Sequence, residues 1–379
     1  MKILLISHSS GNYGAEKSLL SIAKQLSIRK HDVTVLVPSE GPLTRELYLL
    51  DIKFIVWPYF LWIGKRLFYI KYVLYFPLNV LSVYLFKYSH SKFKHYDIVY
   101  SNTIATNFGA LLSSIGKKKH IWHVREYVHE DSNAKFLVNY KIAKYFFIKK
   151  SDAIIYNSKS VEDKFKNYFG SHESKVIYNG ISFKSIAPEY SVRIYSKNKK
   201  FILLMVSSIK KEKGHYDALK ALSLLIINYP NLILRIVGGI SHNPYFDEMI
   251  KYIKNKGLSQ NVEFLGYLDD PLVIMNESDI FLMCSEKEAF GRVTVEALFS
   301  GCPVIATNSG GTLEIIEDNI NGILYTPGDW KQLSYLIEKL IINHQLRRSL
   351  SVNGKIRSYY FNLKNSIDAI EKVLISLSK

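Results

Sequence analysis

Residues 1–38, MKILLISHSSGNYGAEKSLLSIAKQLSIRKHDVTVLVP, contain the unit from which the fold is built. Two short apolar runs, Lys2–Ser7 and Asp32–Pro38, flank a segment of helical periodicity at Ala15–Ser27. Buried strands that alternate with helices predict βαβ units and a parallel sheet. The first apolar run, Ile3–Ile6, is too short for the core of a signal peptide, so we interpret it as a strand and expect a cytoplasmic protein.

The same alternation continues along the chain in two series. Further strands of the first series are predicted at Lys53–Trp57, Ile98–Ser101, His120–Val124, Ala153–Asn157 and Lys175–Tyr178. The polar segment 182–200 lacks periodicity and predicts a linker. A second series follows at Phe201–Ser207, Leu232–Val237, Val262–Leu265, Ile280–Cys284, Pro303–Thr307 and Gly322–Tyr325. The pattern predicts two tandem Rossmann-like, doubly wound α/β domains that bind ligands at the carboxyl ends of their strands, with a cleft between the domains.

Composition supports two domains and indicates an anionic partner. A chain of 379 residues is long enough for two cores, and its two cysteines, Cys284 and Cys302, exclude a disulfide framework. Residues 1–190 carry 27 Lys and Arg against 14 Asp and Glu, whereas the remainder carries 23 against 19. Because no nucleic-acid-binding motif accompanies this charge, we favour an anionic lipid surface over nucleic acid as the partner of the first half.

Residues 59–96 have the composition of a membrane interface. They contain thirteen aromatic and six basic residues and no acidic residue. The most apolar window, 67–86, includes Lys71, Pro77 and Asn79, which argues for docking on the surface rather than spanning the bilayer. The residues expected to meet the membrane are Trp62, Lys65, Arg66 and Lys71. The alternative is that the apolar residues here are the core of helices packed on the sheet.

The segment 285–311, SEKEAFGRVTVEALFSGCPVIATNSGG, carries the strongest chemical signal. Glu288 and Glu296 flank the start of a helix predicted at Val293–Ser300 and stopped by Gly301. A helix N-terminus offers amide donors and partial positive charge to phosphate. Eight helical residues rise about 12 Å, so the two carboxylates cannot share a proton but can bind hydroxyls at opposite ends of a long ligand. Taken alone, this spacing usually indicates a solvated helix face, but its position between a strand end, a Gly turn and a capped helix makes it a much stronger signal.

A second element lies at the end of the first strand of the second domain. Residues 205–214, MVSSIKKEKG, place Lys213 directly before Gly214, where strand gives way to helix. An ammonium group at this position can act as a compact point charge on a diphosphate. The alternative is that Lys210, Lys211 and Lys213 belong to a solvated loop.

Read together, six short motifs resemble the retaining glycosyltransferases of family 4, which have the GT-B fold. The motifs are Glu288–Glu296, Gly301–Thr307, Gly310–Glu314, Glu212–Gly214, Asn179–Ile181 and Gly11–Glu16. The resemblance implies an acceptor-binding, membrane-facing domain at 1–185 and a nucleotide-sugar-binding domain at 186–355. It further implies a C-terminal helix within 356–379 that packs back on the first domain.

The resemblance also implies roles for particular residues. Glu288 would bind hydroxyls of the donor sugar, Glu296 the ribose, and Lys213 the diphosphate, while His123 would face the transferred sugar. The implied catalytic residues are Glu288, His123 and Lys213. The implied donor-binding residues are Gly14, Ser208, Lys213, Glu288, Ala289, Phe290, Gly291, Arg292, Val293, Thr294 and Glu296. For a lone histidine at a strand end, the alternative is a satisfied core residue.

The chain departs from the family pattern at three places. Ser207-Ser208 stands where Gly-Arg is common, so the arginine that grips the diphosphate is missing unless Arg292, Lys210 or Lys211 replaces it. Tyr13-Gly14 stands where two glycines are usual, and this puts a bulkier wall near the acceptor. Ser182 stands where an Asp often follows Asn-Gly-Ile.

We therefore expect a transferase that moves a sugar from a UDP- or GDP-linked donor to a lipid-linked glycan with retention, in surface polysaccharide synthesis at the inner face of the cell membrane. No Asp-x-Asp motif lies at a strand end, so no metal and no other cofactor is implied. Three alternatives remain: a GT-B-like sugar-nucleotide 2-epimerase, a transferase of soluble acceptors, and a non-catalytic glycan-binding subunit. Residues 59–96 argue against the first two, and Ser208 is the only support for the third.

Overall fold

The computed structural model describes residues 1–64, 69–128, 135–183, 195–196, 198–239 and 244–378. The chain divides into two compact units. Unit 1 comprises Met1–Ser182 and Leu363–Lys379, and unit 2 comprises Phe183–Asn362. Each unit is built on a parallel sheet, which confirms the predicted fold class.

Unit 1 contains a seven-stranded parallel sheet and a separate two-stranded antiparallel pair. Its strands are β1 (Lys2–Ile6), β2 (Asp32–Val37), β3 (Lys53–Val56), β4 (Ile63–Gly64), β5 (Ile98–Ser101), β6 (Lys119–Val124), β7 (Lys135–Phe136), β8 (Ala153–Tyr156) and β9 (Lys175–Val176). The parallel order is β3-β2-β1-β5-β6-β8-β9, so all seven strands of the first predicted series enter this sheet. The pair β4 and β7 was not predicted, because each of these strands has only two residues.

The helices of unit 1 cover the sheet with their apolar sides. They are α1 (Gly14–Ile28), α2 (Pro42–Leu49), α3 (Tyr69–Ser89), α4 (Phe108–Gly116), α5 (Tyr140–Lys144) and α6 (Lys159–Phe169), and the last helix of the chain, Leu363–Ser378, also packs here. Leu19, Ile22 and Leu26 of α1 join Ile3 and Leu5 of β1 in one core. This side-chain periodicity is the reason that the sequence predicts the helix.

Unit 2 repeats the architecture with six parallel strands in the order β12-β11-β10-β13-β14-β15. The strands are β10 (Phe201–Val206), β11 (Leu232–Val237), β12 (Val262–Gly266), β13 (Ile280–Met283), β14 (Val304–Thr307) and β15 (Ile323–Tyr325). The helices are α7 (His215–Leu225), α8 (Pro244–Asn255), α9 (Leu272–Asn276), α10 (Arg292–Phe299), α11 (Thr312–Ile315), α12 (Trp330–Ile342) and α13 (His344–Ser358). Its core is built from strand residues such as Leu203 and Ile236 and helix residues such as Leu219 and Ile337.

The terminal helix, α14 (Leu363–Ser378), belongs to unit 1 and is held there by charge as well as apolar contact. The Arg29 guanidinium forms ion pairs with Asp368 and Glu371, and the second oxygen of Glu371 lies 2.8 Å from Nε2 of His31. The predicted boundary at 355/356 falls inside α13, which continues through a turn to Phe361. The structure instead changes unit at 362/363, because Phe361 is buried in unit 2 against Phe290.

Several apolar residues of the segment 59–96 are buried, as expected from the alternative that they form the core of helices packed on the sheet. Tyr59, Asn79, Val83, Phe86 and Phe93 are buried in unit 1. Trp62 is only 2% exposed; its ring stacks on Trp122 and its indole N–H donates to the carbonyl of Ile104. Its assignment as a membrane-docking residue is therefore wrong, because the ring is enclosed by protein.

Three further residues were predicted to dock on the membrane: Lys65, Arg66 and Lys71. Lys65 and Arg66 lie outside the described residues, and Lys71 is described only as part of the backbone of α3. Within the described part of the chain, each helix falls short of the length or the apolarity needed to cross a bilayer.

Candidate functional site

The chemical centre of unit 2 is the loop that joins β13 to α10. Gly291 caps the helix with φ +96°, in the left-handed region that favours glycine. At the other end, Gly301 (φ +78°) donates to the carbonyl of Leu298, and Cys302 donates to that of Ala297, both over 3.0 Å. This is a Schellman motif. Both glycines therefore set the limits of the helix whose N-terminus was predicted to bind phosphate.

The loop before α10 is held in place by the Gly310-Gly311 motif. The amide of Gly311 donates to the carbonyl of Glu288 over 2.7 Å, and a Cβ at Gly311 would lie 2.5 Å from the carbonyl oxygen of Ala289. Only glycine permits this approach. The motif thus fixes the backbone around Glu288.

Lys213 and Glu288, two predicted site residues far apart in sequence, lie in contact. The ammonium Nζ of Lys213 is 2.8 Å from Oε2 of Glu288, and their side chains are 26% and 20% exposed. The contact is possible because Gly214 (φ +68°) brings the end of the β10–α7 loop onto the carbonyl of Cys284. A partly exposed ammonium–carboxylate pair therefore joins the β10–α7 loop to the loop that precedes the N-terminus of α10.

Glu296 lies on the first turns of α10 beside Arg292. Their side chains are separated by 3.6 Å and are equally shielded. The sequence-based separation of about 12 Å between Glu288 and Glu296 assumed that the chain is helical over all eight residue steps from one to the other. In the structure α10 begins only at Arg292, so Glu288 lies in the preceding loop. The helical part, from Arg292 to Glu296, rises only roughly 6 Å, and the value of about 12 Å does not apply.

The remaining predicted donor-binding residues of unit 2 differ in how far they are buried. Ala289 and Phe290 are buried, and their backbone is packed closely against Gly311. The Thr294 hydroxyl is buried in the first turn of α10 and has no hydrogen-bond partner among the described residues. Val293 is half-buried, and Ser208 is exposed after β10.

Gly214 gives a test of how this site is assembled. We expect Gly214→Ala to lower the free energy of unfolding by clearly more than about 1–2 kcal/mol, the usual cost of a left-handed residue, because its Cβ would lie 1.9 Å from the Cys284 carbonyl oxygen. Gly257→Ala is the matched control, since Gly257 has φ +67° but nothing within 4 Å of the added Cβ. Urea unfolding measures both; equal losses would contradict the packing role of Gly214.

In unit 1, the predicted site residue Gly14 is the first residue of α1 and is exposed. The loop before it is held by Glu16, which is buried and accepts hydrogen bonds from the Tyr13 amide (3.2 Å) and from the Ser9 hydroxyl. Glu16 belongs to the Gly11–Glu16 motif but was not predicted to have a role of its own. The signal in the sequence is a glutamate three residues after Tyr13, the residue that precedes α1. A glutamate at this position of a helix commonly caps the helix N-terminus.

His123 is buried at the end of β6, and its neighbours fix its protonation. Its Nδ1 atom lies 2.9 Å from Nη2 of Arg125 and also contacts the Tyr100 hydroxyl. Because a guanidinium can only donate, Nδ1 must accept, and the ring proton is carried by Nε2. Burial, reinforced by the charge of Arg125, lowers the pKa of His123 well below its ordinary value. The ring is a neutral N–H donor, and Nε2 has no partner among the described residues.

Arg125 connects His123 to two of the motifs found in the sequence, Asn179–Ile181 and Gly11–Glu16. Besides His123, it donates to Asn179 and, through Nε, to Oδ1 of Asn102 over 3.0 Å. Asn102 in turn donates to the carbonyl of Ala15 over 2.9 Å. Arg125 and Asn102 were not predicted as site residues, although Arg125 is two positions from His123.

Among the residues that the structure describes, no group of three or more His, Cys, Asp and Glu side chains could hold a metal ion.

Comparison with known proteins identifies the family. The model for Glycosyltransferase Family 4 matches residues 13–184, and that for Glycosyl transferases group 1 matches residues 188–357. By sequence, the chain is 32% identical over 225 residues to human alpha-1,3/1,6-mannosyltransferase ALG2, covering 55% of this chain and 54% of ALG2. It is 28% identical over 160 residues to the Staphylococcus aureus capsular polysaccharide glycosyltransferase CapM, covering 42% of each chain. These matches span about half the length of the relatives.

Solved structures match over the full chain. HepE of Anabaena, determined with UDP and glucose, has a TM-score of 0.80 and 26% identity, covering 99% of this chain and 100% of HepE. The lipopolysaccharide galactosyltransferase WaaB, at 18% identity and a TM-score of 0.71, shares the fold. With both family models matched and the sheet arrangement shared, the chain belongs to glycosyltransferase family 4 and has the GT-B fold.

Proposed function

We propose that this protein transfers a sugar from a nucleotide diphosphate donor to a hydroxyl of a lipid-linked glycan, with retention at the anomeric carbon. The observation that carries the proposal is the Lys213–Glu288 pair, in which the ammonium group of the β10–α7 loop lies 2.8 Å from the carboxylate of the loop before α10. A cation and amide donors suit the phosphates of such a substrate, and a carboxylate suits its hydroxyls, which need a hydrogen-bond acceptor. HepE, which shares the fold at 26% identity, binds UDP and UDP-glucose and supports UDP as the carrier.

Each residue has a distinct role in this proposal. The amides at the start of α10 and the ammonium of Lys213 bind the diphosphate and stabilise its charge as it leaves. A lysine ammonium has three N–H donors, so Lys213 can bind phosphate and still contact Glu288. Glu288 accepts hydrogen bonds from sugar hydroxyls and Glu296 from the ribose. In unit 1, the Nε2–H group of His123 donates to an oxygen of the transferred sugar, and Gly14 lets backbone approach the donor.

The proposed chemical step needs no nucleophile from the protein. The bond between the anomeric carbon and the diphosphate oxygen breaks, and the bond to the acceptor oxygen forms on the same face. The acceptor proton passes to the departing phosphate oxygen. Because His123 is neutral with its proton on Nε2, it serves as a hydrogen-bond donor rather than as the base.

The charge of the first half of the chain and the names of its relatives support the proposed acceptor and setting. CapM and the Rhizobium meliloti protein LpsE are named for capsular and lipopolysaccharide synthesis, in which glycans grow on membranes. With its excess of basic residues, the first half of this chain is suited to an anionic surface. We therefore assign the protein to surface polysaccharide synthesis, peripherally at the inner face of the cell membrane.

The experiment is turnover by the purified protein with a panel of UDP- and GDP-sugars and a lipid-linked glycan. We expect one donor to give an acceptor product whose anomeric configuration, read by NMR, matches that of the donor. Conversion of a donor without acceptor would indicate a 2-epimerase. Equal activity on soluble acceptors would remove the lipid assignment, and the absence of any product across the panel would favour a non-catalytic subunit.

A further inference from the structure

The outer face of α3 is apolar, although it points away from the core of unit 1. The inner face carries Val83 and Phe86, which pack with Phe108 and Leu111 of α4. On the opposite side, five large apolar side chains are between 40% and 81% exposed: Leu74, Leu78, Leu81, Leu85 and Tyr88. Their spacing of three and four residues aligns them in one stripe about 21 Å long. We call these five residues the α3 stripe.

Lysines surround one end of the α3 stripe. The ammonium group of Lys87 lies 3.4 Å from the carbonyl oxygen of Ile115, and that of Lys118 lies 2.6 Å from the carbonyl oxygen of Lys94. These contacts gather Lys87, Lys94, Lys117 and Lys118 where α3 ends beside the end of α4. The sequence places no acidic residue between 59 and 96 to neutralise them.

A second basic and apolar segment lies beside α3. The Phe146 ring contacts that of Phe76 on α3, with 5.8 Å between centroids. Residues 135–151, which include Phe146, contain five lysines and no acidic residue. Tyr140, Ile142 and Tyr145 in this segment are also exposed. The region around α3 thus combines exposed Leu and Tyr with positive charge over two neighbouring elements.

We infer that the α3 stripe is the surface by which unit 1 docks on an anionic lipid bilayer. The inference rests on the proposed transfer to a lipid-linked acceptor and gives that function a place on the molecule. Leucine and tyrosine insert among lipid headgroups while flanking lysines pair with anionic headgroups, as in interfacial helices. A second copy of the chain is a poorer occupant, because a two-fold contact would bring the same acid-free, Lys-bearing surfaces together.

The test compares variants in sedimentation with vesicles of phosphatidylcholine, with or without phosphatidylglycerol. We expect the wild type to bind the anionic vesicles, with binding reduced by high salt and weak on phosphatidylcholine alone. Leu81→Glu/Leu85→Glu should lower the partition coefficient by about tenfold or more, because it places two charges in the inserted face. The matched control is Ile28→Glu/Leu49→Glu, which changes two exposed aliphatic residues of unit 1 to the same charge and should bind as the wild type.

Several outcomes would overturn the inference. They are absent wild-type binding, equal binding by Leu81→Glu/Leu85→Glu, an equal effect of the control variant, and equal binding to neutral vesicles. A wild-type dimer that the α3 variant dissociates, seen by light scattering, would assign the face to a second copy. Thermal stabilisation by UDP is measured on the same samples. If UDP raises the melting temperature of every variant, a variant that fails to bind vesicles still has its donor site, and only the docking inference is affected. If UDP stabilises none of the proteins, the result counts against the donor site and not against docking.

Discussion

Glu288→Gln should reduce sugar transfer by roughly 100-fold or more, because it replaces the carboxylate that we propose binds the donor sugar. Removing one well-placed hydrogen-bonding group from a preorganised site typically costs a factor of 10²–10³. The substitution keeps the size of the side chain and leaves Lys213 without its charged partner, so the protein should remain folded. Initial rates at saturating donor and acceptor measure the effect.

Glu286→Gln is the matched control for this experiment. Glu286 lies two residues earlier in the same loop, and its side chain is exposed. It should transfer sugar at the wild-type rate. Equal losses in the two variants would show that any charge change in this loop is harmful, and a wild-type rate for Glu288→Gln would remove Glu288 from the site.

His123→Asn should lose roughly 100-fold in transfer, whereas His123→Gln should retain more of the rate. The Asn side chain can still accept from Arg125 but ends short of the position of Nε2. The Gln amide reaches that position and supplies an N–H donor there. If His123 were instead a base, neither amide could replace it, and both variants would fall to the same level.

The protonation state of His123 can be observed directly. Proton–nitrogen NMR of the ring should show the neutral form with its proton on Nε2 from pH 8 down to pH 5.5, because its pKa lies well below the ordinary value. Arg125→Met removes the donor that fixes this form, so the signal should change and transfer should fall. A ring that titrates near its ordinary pKa in the wild type would contradict the assignment.

The sequence predicts the sheets well because buried parallel strands leave a local pattern. All thirteen predicted strands enter the two parallel sheets, and the end of α10 follows from Gly301 alone. The contact between Lys213 and Glu288 could not be predicted from the sequence, because 75 residues separate the two side chains. Only the parallel pairing of β10 and β13 brings their loops together.

Other features depend on burial, which composition does not report. Trp62 and Tyr88 belong to the same aromatic segment, yet the first is enclosed beside Trp122 and the second is exposed. Arg125 would normally be interpreted as a surface residue. Its buried position between His123, Asn102 and Asn179 depends on three loops that meet only in the folded unit.

Calorimetric titration of UDP and of the active UDP-sugar tests the central claim most directly. If the two carboxylates hold opposite ends of the donor, Glu296→Gln should weaken UDP and UDP-sugar alike, by about tenfold. Glu288→Gln should weaken only the additional affinity due to the sugar, and UDP itself should bind at least as well as to the wild type because Lys213 is released to the diphosphate. Unchanged affinity for both ligands in both variants would contradict the account.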